Sequence, residues 1–191
     1  REFPFVYKSE KVGLGVDKTA LLRKIERALD EKTANVSADK FVEVLPKVTE
    51  AELRETTKKR GEFSTSYASS QQKRKSNVKL ASSLISFYEL DAGAEFSFNE
   101  AIGKRTEERG FTTAKVIENG KFVEGVGGGV CQVSSTVYNC ALLSGLNVTE
   151  RHRHSLAVSY VEPSFDAMVS YGYADLKFQN ETSSPVYIVT Y

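Results

Sequence analysis

Apolar residues recur at helical spacing in four stretches of the chain. Leu21, Leu22, Ile25, Ala28 and Leu29 predict an amphipathic helix that Asp17 caps. Thr49-Glu-Ala-Glu-Leu53 predicts a second helix, with Thr49 as cap and Glu52 at the capping-box position. Leu80, Leu84, Phe87 and Tyr88 fall on one side of a helix over residues 78–90. Residues 131–145 predict a fourth helix, ending at Gly145. Elsewhere the period is two. Residues 2–7 read as a short strand held to a sheet edge by Pro4. Lys11-Val-Gly-Leu-Gly15 reads as a turn region. Val42, Val44 and Leu45 begin a strand that Pro46 interrupts. Phe96 and Phe98 alternate with serines, and residues 99–110 read as loop and turn. Residues 114–117 and 121–124 predict a hairpin around Asn119-Gly120. Five later stretches predict strands: 148–149, 156–161, 168–173, 176–178 and 186–191. A helix followed by a run of strands implies an α+β domain. Its cysteine-bearing helix should pack on a mostly antiparallel sheet, with a smaller α+β unit at the N-terminal side.

Between the two regions the pattern stops. Residues 56–76 are polar and basic, rich in Ser, Gln, Lys and Arg, and carry no apolar periodicity. This divides the chain into a unit over 1–55, a surface segment or linker over 56–76, and a larger unit over 77–191. Charge follows the division. Residues 1–76 hold 17 Lys/Arg against 12 Asp/Glu, and residues 77–191 hold 9 against 13. The overall charge is only +1, so no global field draws the protein to nucleic acid. No apolar run approaches the roughly 20 residues that span a bilayer. The opening Arg1-Glu2-Phe3-Pro4-Phe5 looks like the interior of a longer protein.

Candidate chemistry centres on Cys131. There are two cysteines, Cys131 and Cys140. On one helix they would lie about 13.5 Å apart and on opposite faces, beyond disulfide reach, so both are expected as free thiols. Two cysteines and two histidines without CxxC or HxxxH spacing are a poor zinc set, and no metal or cofactor is expected. Gly127-Gly-Gly-Val-Cys131-Gln132 puts a glycine turn ahead of the thiol. A helix starting there places the thiol at its positive end, which favours the reactive thiolate. Gly128, Gly129, Gln132 and Ser134 are candidate oxyanion or substrate-binding positions. The glycines could instead cradle a phosphate, but the Gly-Lys-Ser/Thr ending of a P-loop is missing. Cys140 lies mid-helix among Tyr138, Ala141, Leu142 and Leu143 and reads as a core residue. A cysteine nucleophile needs a base, and His152 and His154 are the two available. An acid must then orient the imidazole, and Asp166 or Asp175 could do so. The order Cys, His, Asp parallels papain-like and transglutaminase-like sites, as an analogy of order only.

Several strings together resemble the VanW-like domain of bacterial cell-surface proteins. These are Phe96-Ser-Phe-Asn99, Gly103-Lys-Arg-Thr106, Gly110-Phe-Thr-Thr-Ala114 and Gly127-Gly-Gly-Val-Cys-Gln-Val-Ser-Ser-Thr-Val-Tyr-Asn139. Glu150-Arg151, His154-Ser155, Tyr160-Val161, Asp166-Ala167 and Asp175-Leu-Lys-Phe-Gln-Asn180 follow in the same order. The resemblance covers about residues 64–191, including Phe63-Ser64-Thr65 and the stretch from Arg74 to Asn77. Residues 3–55 resemble, more weakly, the end of a peptidoglycan-binding domain that often precedes VanW-like domains. The resemblance implies an extracytoplasmic setting in Gram-positive-type bacteria and association with glycopeptide resistance. It adds weight to Cys131, Gln132, His154, Asp166 and Asp175, and none to Cys140 or His152. The segment Tyr160-Val-Glu-Pro-Ser-Phe-Asp166 lacks the glycine that usually stands shortly before the Asp.

Three functions are consistent with these residues. One is a cysteine-dependent acyl transferase or peptidase, with Cys131 as nucleophile and His154 as base, acting on peptidoglycan peptides or surface proteins. The second is a non-catalytic module that holds peptidoglycan or teichoic acid through a basic first unit and a Tyr-rich sheet. The third is an assembly domain for another surface protein, joined by strand pairing at an exposed edge.

Overall fold

The computed structural model describes residues 5–118 and 120–191. Contacts divide the chain into two units, Arg1–Lys58 and Lys59–Tyr191.

The first unit pairs β1 (Gly13–Val16) with β2 (Phe41–Val44), antiparallel, and adds helices α1 (Lys18–Asp30) and α2 (Glu50–Thr56). Strand β1 takes over part of the stretch expected to be a turn. Residues 5–7 form no strand, and the rest of the strand expected over 2–7 lies outside the described residues. Asp17 caps α1 by accepting from Ala20 N–H, and Thr49 and Glu52 complete a capping box on α2. The apolar stripe expected to form a core is mostly open. Ala28 is buried, while Leu22, Ile25 and Leu29 stay exposed.

The second unit begins with an extended run in which alternate residues, Gly61, Phe63, Thr65 and Tyr67, are half-buried. It then continues α3 (Gln72–Ile85), β3 (Tyr88–Leu90), β4 (Glu95–Ser97), α4 (Phe98–Ile102), a 3-10 turn at Glu107–Arg109, β5 (Thr113–Glu118), β6 (Lys121–Val126), α5 (Val130–Leu143), β7 (Asn147–Glu150), β8 (Lys177–Gln179) and β9 (Val186–Ile188). Helix α3 therefore starts at Gln72, inside the segment expected to be a linker. The sheets are antiparallel: β4-β8-β7, β3-β9 and the β5-β6 hairpin. The hairpin forms where its alternation predicts, and Asn119 of its turn lies outside the described residues. The class is α+β.

Val78, Ala81 and Ile85 of α3 meet Val130, Val133, Val137 and Ala141 of α5 in one core, together with Phe96, Phe98, Ile102, Phe111, Leu176 and Phe178. Phe96 and Phe178 are register partners and stack at 4.7 Å, with Tyr88 edge-on to Phe96 at 5.0 Å. Helix α5 ends as Gly145 predicts. Gly145 turns left-handed (φ 68°), its N–H returns to Leu142 O, and Leu146 N–H returns to Ala141 O.

The strands expected over 156–161 and 168–173 are absent. The chain from 151 to 176 makes only the isolated bridges His152–Met168 and Ser170–Ala174. Its alternation reflects half-burial, but side chains rather than a neighbouring strand supply its backbone partners. Ser134 Oγ donates to Ala167 O at 2.6 Å, and Asn139 Nδ2 to Phe165 O at 2.7 Å. Ala167 N–H donates to Ser135 Oγ. Arg151 donates to Ser164 O and Asp166 O. Pinned in this way to α5, the segment needs no ladder.

Candidate active site

The glycine turn fixes where α5 begins. A Cβ on Gly128 would lie 2.6 Å from Lys115 O and 2.8 Å from Ala114 C, so only glycine lets the turn sit against the β5 backbone. Gly129 precedes the helix at φ 106°, a conformation that side chains disfavour. Buried Asn77 locks the turn in place. Its Nδ2 donates to Gly128 O at 2.9 Å and Thr112 O at 2.8 Å, and its Oδ1 accepts from Thr112 N–H. These glycines shape the turn as backbone and packing positions. Cys131 follows in the first turn of α5, half-buried, and its thiol donates to Val169 O at 3.5 Å.

His154 reaches this thiol from the long segment. Its imidazole side chain is 5% exposed, and its Nδ1 lies 2.6 Å from Asp166 Oδ2. Asp166 Oδ2 also accepts the His154 backbone N–H at 2.7 Å. With Nδ1 turned to the carboxylate, Nε2 is the ring atom left for Cys131, whose charge acts on the imidazole. Arg151 Nη2 holds the other carboxylate oxygen at 2.8 Å. Burial alone pushes the imidazole down, but Cys131 and Asp166 outweigh it and hold His154 above the ordinary histidine value. Burial raises the Asp166 carboxyl, and His154 and Arg151 outweigh that, holding it below the usual carboxylate range. The fold thus brings a hydrogen-bonded His154–Asp166 pair close enough to Cys131 to share its electrostatics. An imidazole held by a buried carboxylate can take a proton from a thiol and return it to a leaving group.

Asp175 stands elsewhere. Its carboxylate accepts from Ser97 Oγ at 2.5 Å, Asn99 N–H at 2.9 Å and Leu176 N–H at 2.8 Å, tying β4 to β8 and capping α4. Gln132 and Ser134 are not free donors either. Gln132 Nε2 binds Thr65 Oγ1 and Ser66 O, each at 3.0 Å, and so anchors the extended run to α5. Ser134 Oγ bonds Ala167 O and Cys131 O. His152 turns outward to Glu150, 3.0 Å away. Burial pushes the Cys140 thiol up, as befits a packed residue.

Two neighbours were not assigned roles by sequence. Tyr160 has its hydroxyl pushed up by burial and by Cys131, while hydrogen bonding to Ser135 opposes the shift. The second is Arg105, whose stem packs against Gly127 of the glycine turn. A cavity of about 210 Å³ opens beside the His154–Asp166 pair, lined by these two together with Arg151, Arg153, Leu156 and Pro163, and Cys131 is not in its lining. Among the described residues no group of three His, Cys, Asp or Glu could hold a metal ion, and no helix is long and apolar enough to cross a membrane.

The VanW like protein family matches residues 73–191. The chain is 39% identical over 133 residues to the uncharacterized protein YoaR of Bacillus subtilis, covering 70% of this chain and 44% of that protein. It is 29% identical over 112 residues to the vancomycin B-type resistance protein VanW of Enterococcus faecalis, covering 56% of this chain and 40% of that one. The chain thus spans less than half the length of these relatives. No solved structure matches it significantly.

Proposed function

Because this chain belongs to the VanW-like family, we propose that its second unit is a cysteine-dependent acyl transferase or peptidase of the bacterial cell surface, acting on peptidoglycan peptides or surface proteins. The observation that carries the reading is the buried His154 imidazole, 2.6 Å from the Asp166 carboxylate and under the influence of Cys131. The relative named for vancomycin resistance supports the cell-wall setting. In this reading His154 Nε2 takes the thiol proton as Sγ bonds the substrate carbonyl carbon. The C–N bond then breaks, and the departing amine receives that proton from His154, leaving a thioester. Water or a second amine attacks the thioester and gives its proton to the imidazole. The C–S bond breaks, and the sulfur leaves as a thiolate that recovers the proton. Asp166 stays ionised, holding ring orientation and balancing its charge.

Intact-mass measurement with peptidoglycan stem peptides tests this. We expect a covalent adduct on Cys131 that hydroxylamine removes and that Cys131→Ala and His154→Gln do not form. Turnover of those peptides by Cys131→Ala at the wild-type rate would overturn it.

One observation favours a second reading, a wall-binding module. Tyr171 and Tyr173 are 50% and 82% exposed on one turn, where they could stack on sugar rings. Retention on purified cell wall that Tyr173→Ala abolishes and Cys131→Ala leaves intact supports it. Equal retention of all three proteins would remove it.

A further inference from the structure

Arg105 is half-buried, and it is the one cationic side chain among the described residues with buried nitrogens that have no hydrogen-bond partner. Both terminal guanidinium nitrogens are closed to solvent and unpaired. Its stem packs on the glycine turn, since a Cβ on Gly127 would meet Arg105 Cβ at 3.0 Å. Its guanidinium lies 5.9 Å from the ring of fully buried Phe98. The four N–H donors of two terminal guanidinium nitrogens are seldom sealed away unsatisfied, so their charge needs a reason.

The groups that face it supply one. Cys131 on α5 is the leading charge partner, followed by Asp175 ahead of β8, Arg109 of the 3-10 turn, and Tyr171. Asp175 spends both carboxylate oxygens on Ser97, Asn99 and Leu176. Arg109 carries the same sign and donates to Lys104 O, while Lys104 sits 5.7 Å over Tyr171. Burial lowers Arg105 from the ordinary arginine value, yet a guanidinium keeps its proton in a protein. The groups that face Cys131 in turn are His154, Tyr160 and Arg105. Behind them, Asp166 acts on His154 and Arg74 on Tyr160.

The structure assigns Arg105 the role of a fixed positive charge that stabilises the negative charge formed at Cys131, first on the sulfur and then on the oxygen of the carbonyl it attacks. The assignment rests on the cysteine-nucleophile reading. Sealed nitrogens cannot take an anion from solution, so the anion they serve is one generated inside the site. Gln132 and Ser134, the donors expected for that oxygen, are spent on Thr65, Ser66 and Ala167. Arg105 acts through space from nitrogens shielded from water, where charge interactions are less screened. It is a positioning residue and not a catalytic one.

The test is the rate of Cys131 alkylation by iodoacetamide against pH, read on the Cys131 peptide so that Cys140 does not contribute, with folding checked by circular dichroism. Arg105→Met should displace the profile to higher pH. We expect about tenfold slower labelling near neutral pH, and recovery of the wild-type rate near pH 10, where thiols are ionised. Arg105→Lys should keep most of the wild-type profile. An unmoved profile, or the same loss at every pH, overturns the role. A measurement on the wild type guards against a variant that does not fold. Raising salt from about 50 mM to about 1 M should leave the profile in place, because a sealed cation is not screened. A shift to higher pH under salt overturns the role as well. The underlying reading fails separately, if the wild-type profile coincides with that of glutathione.

Discussion

Asp166 does its work on one ring. Its carboxylate receives both the Nδ1 side and the backbone N–H of His154, so Asp166→Asn should leave the fold standing and present the wrong hydrogen-bonding face to the imidazole. Iodoacetamide labelling of Cys131 near neutral pH should then slow by on the order of 10²-fold or more, within the range of acid–base effects. The same pair couples stability to pH. His154 is raised, so its contribution is full below the unfolded histidine value near 6.5 and is lost as pH rises through the higher folded value. Asp166 is lowered, so its contribution is present above the unfolded carboxylate value and is lost as pH falls through the folded one. The pair therefore stabilises most in mildly acidic solution. Thermal melts should show wild type losing its advantage over His154→Gln as pH rises above about 7. Ser164 offers a test of backbone strain. It is left-handed at φ 72°, in the stretch where this sequence lacks the glycine usual to the family. Ser164→Gly should raise stability by about 1 kcal/mol, measured by denaturant unfolding. At this scale the sequence made Cys131, His154 and Asp166 readable because nucleophiles and bases are scarce in it: two cysteines and two histidines narrow the choice at once. Arg105 was not readable, since Gly103-Lys-Arg-Thr106 looks like a solvated run and only packing shows the guanidinium to be sealed. The partners of Gln132 were not legible for a related reason. Its position beside the thiol is visible in the sequence, but the claim of Thr65 and Ser66 on its amide is tertiary.

Helix α5 was legible at both ends because glycines mark them. The Gly127-Gly-Gly129 turn must approach the β5 backbone, and Gly145 must turn left-handed. The start of α3 at Gln72 was not legible. Its first turn carries no apolar residue to set a period, and its N-cap Gln71 makes no side-chain capping bond. The absent strands over 156–161 and 168–173 show a general limit of alternation. A period of two reports which residues are half-buried and is silent about what holds the backbone. Here the holders are Ser134, Ser135, Asn139 and Arg151, all side chains. Asn77 has the same kind of work at the glycine turn. Asn77→Ala leaves Thr112 and Gly128 without buried partners and should cost about 1–3 kcal/mol in denaturant unfolding, together with slower Cys131 labelling.

The whole molecule is uneven. Arg1–Lys58 keeps Ala28 as its one buried apolar residue among the described residues, whereas Lys59–Tyr191 has a continuous aromatic and aliphatic core. Small units with little buried area are weakly stable. Trypsin should therefore digest the first unit and spare the second. A fragment starting near Lys59 should accumulate, with Lys73, Arg74 and Lys75 protected within α3. Early cuts at those three sites would contradict this. The side-chain pinning of residues 151–176 has a consequence for how the site appears to amide hydrogen exchange. The groups tied down at Ser164, Phe165, Asp166 and Ala167 are mainly carbonyls, and exchange reports only N–H. An exchange map should therefore show fast-exchanging amides at Ser164 and Asp166, which are held through their carbonyls, beside slow ones at His154, Phe165, Ala167 and Met168, whose N–H groups are bonded. Fast exchange there would mark a segment anchored through its carbonyl oxygens, and reading it as disorder would misplace the best-positioned groups of the molecule among the loosest.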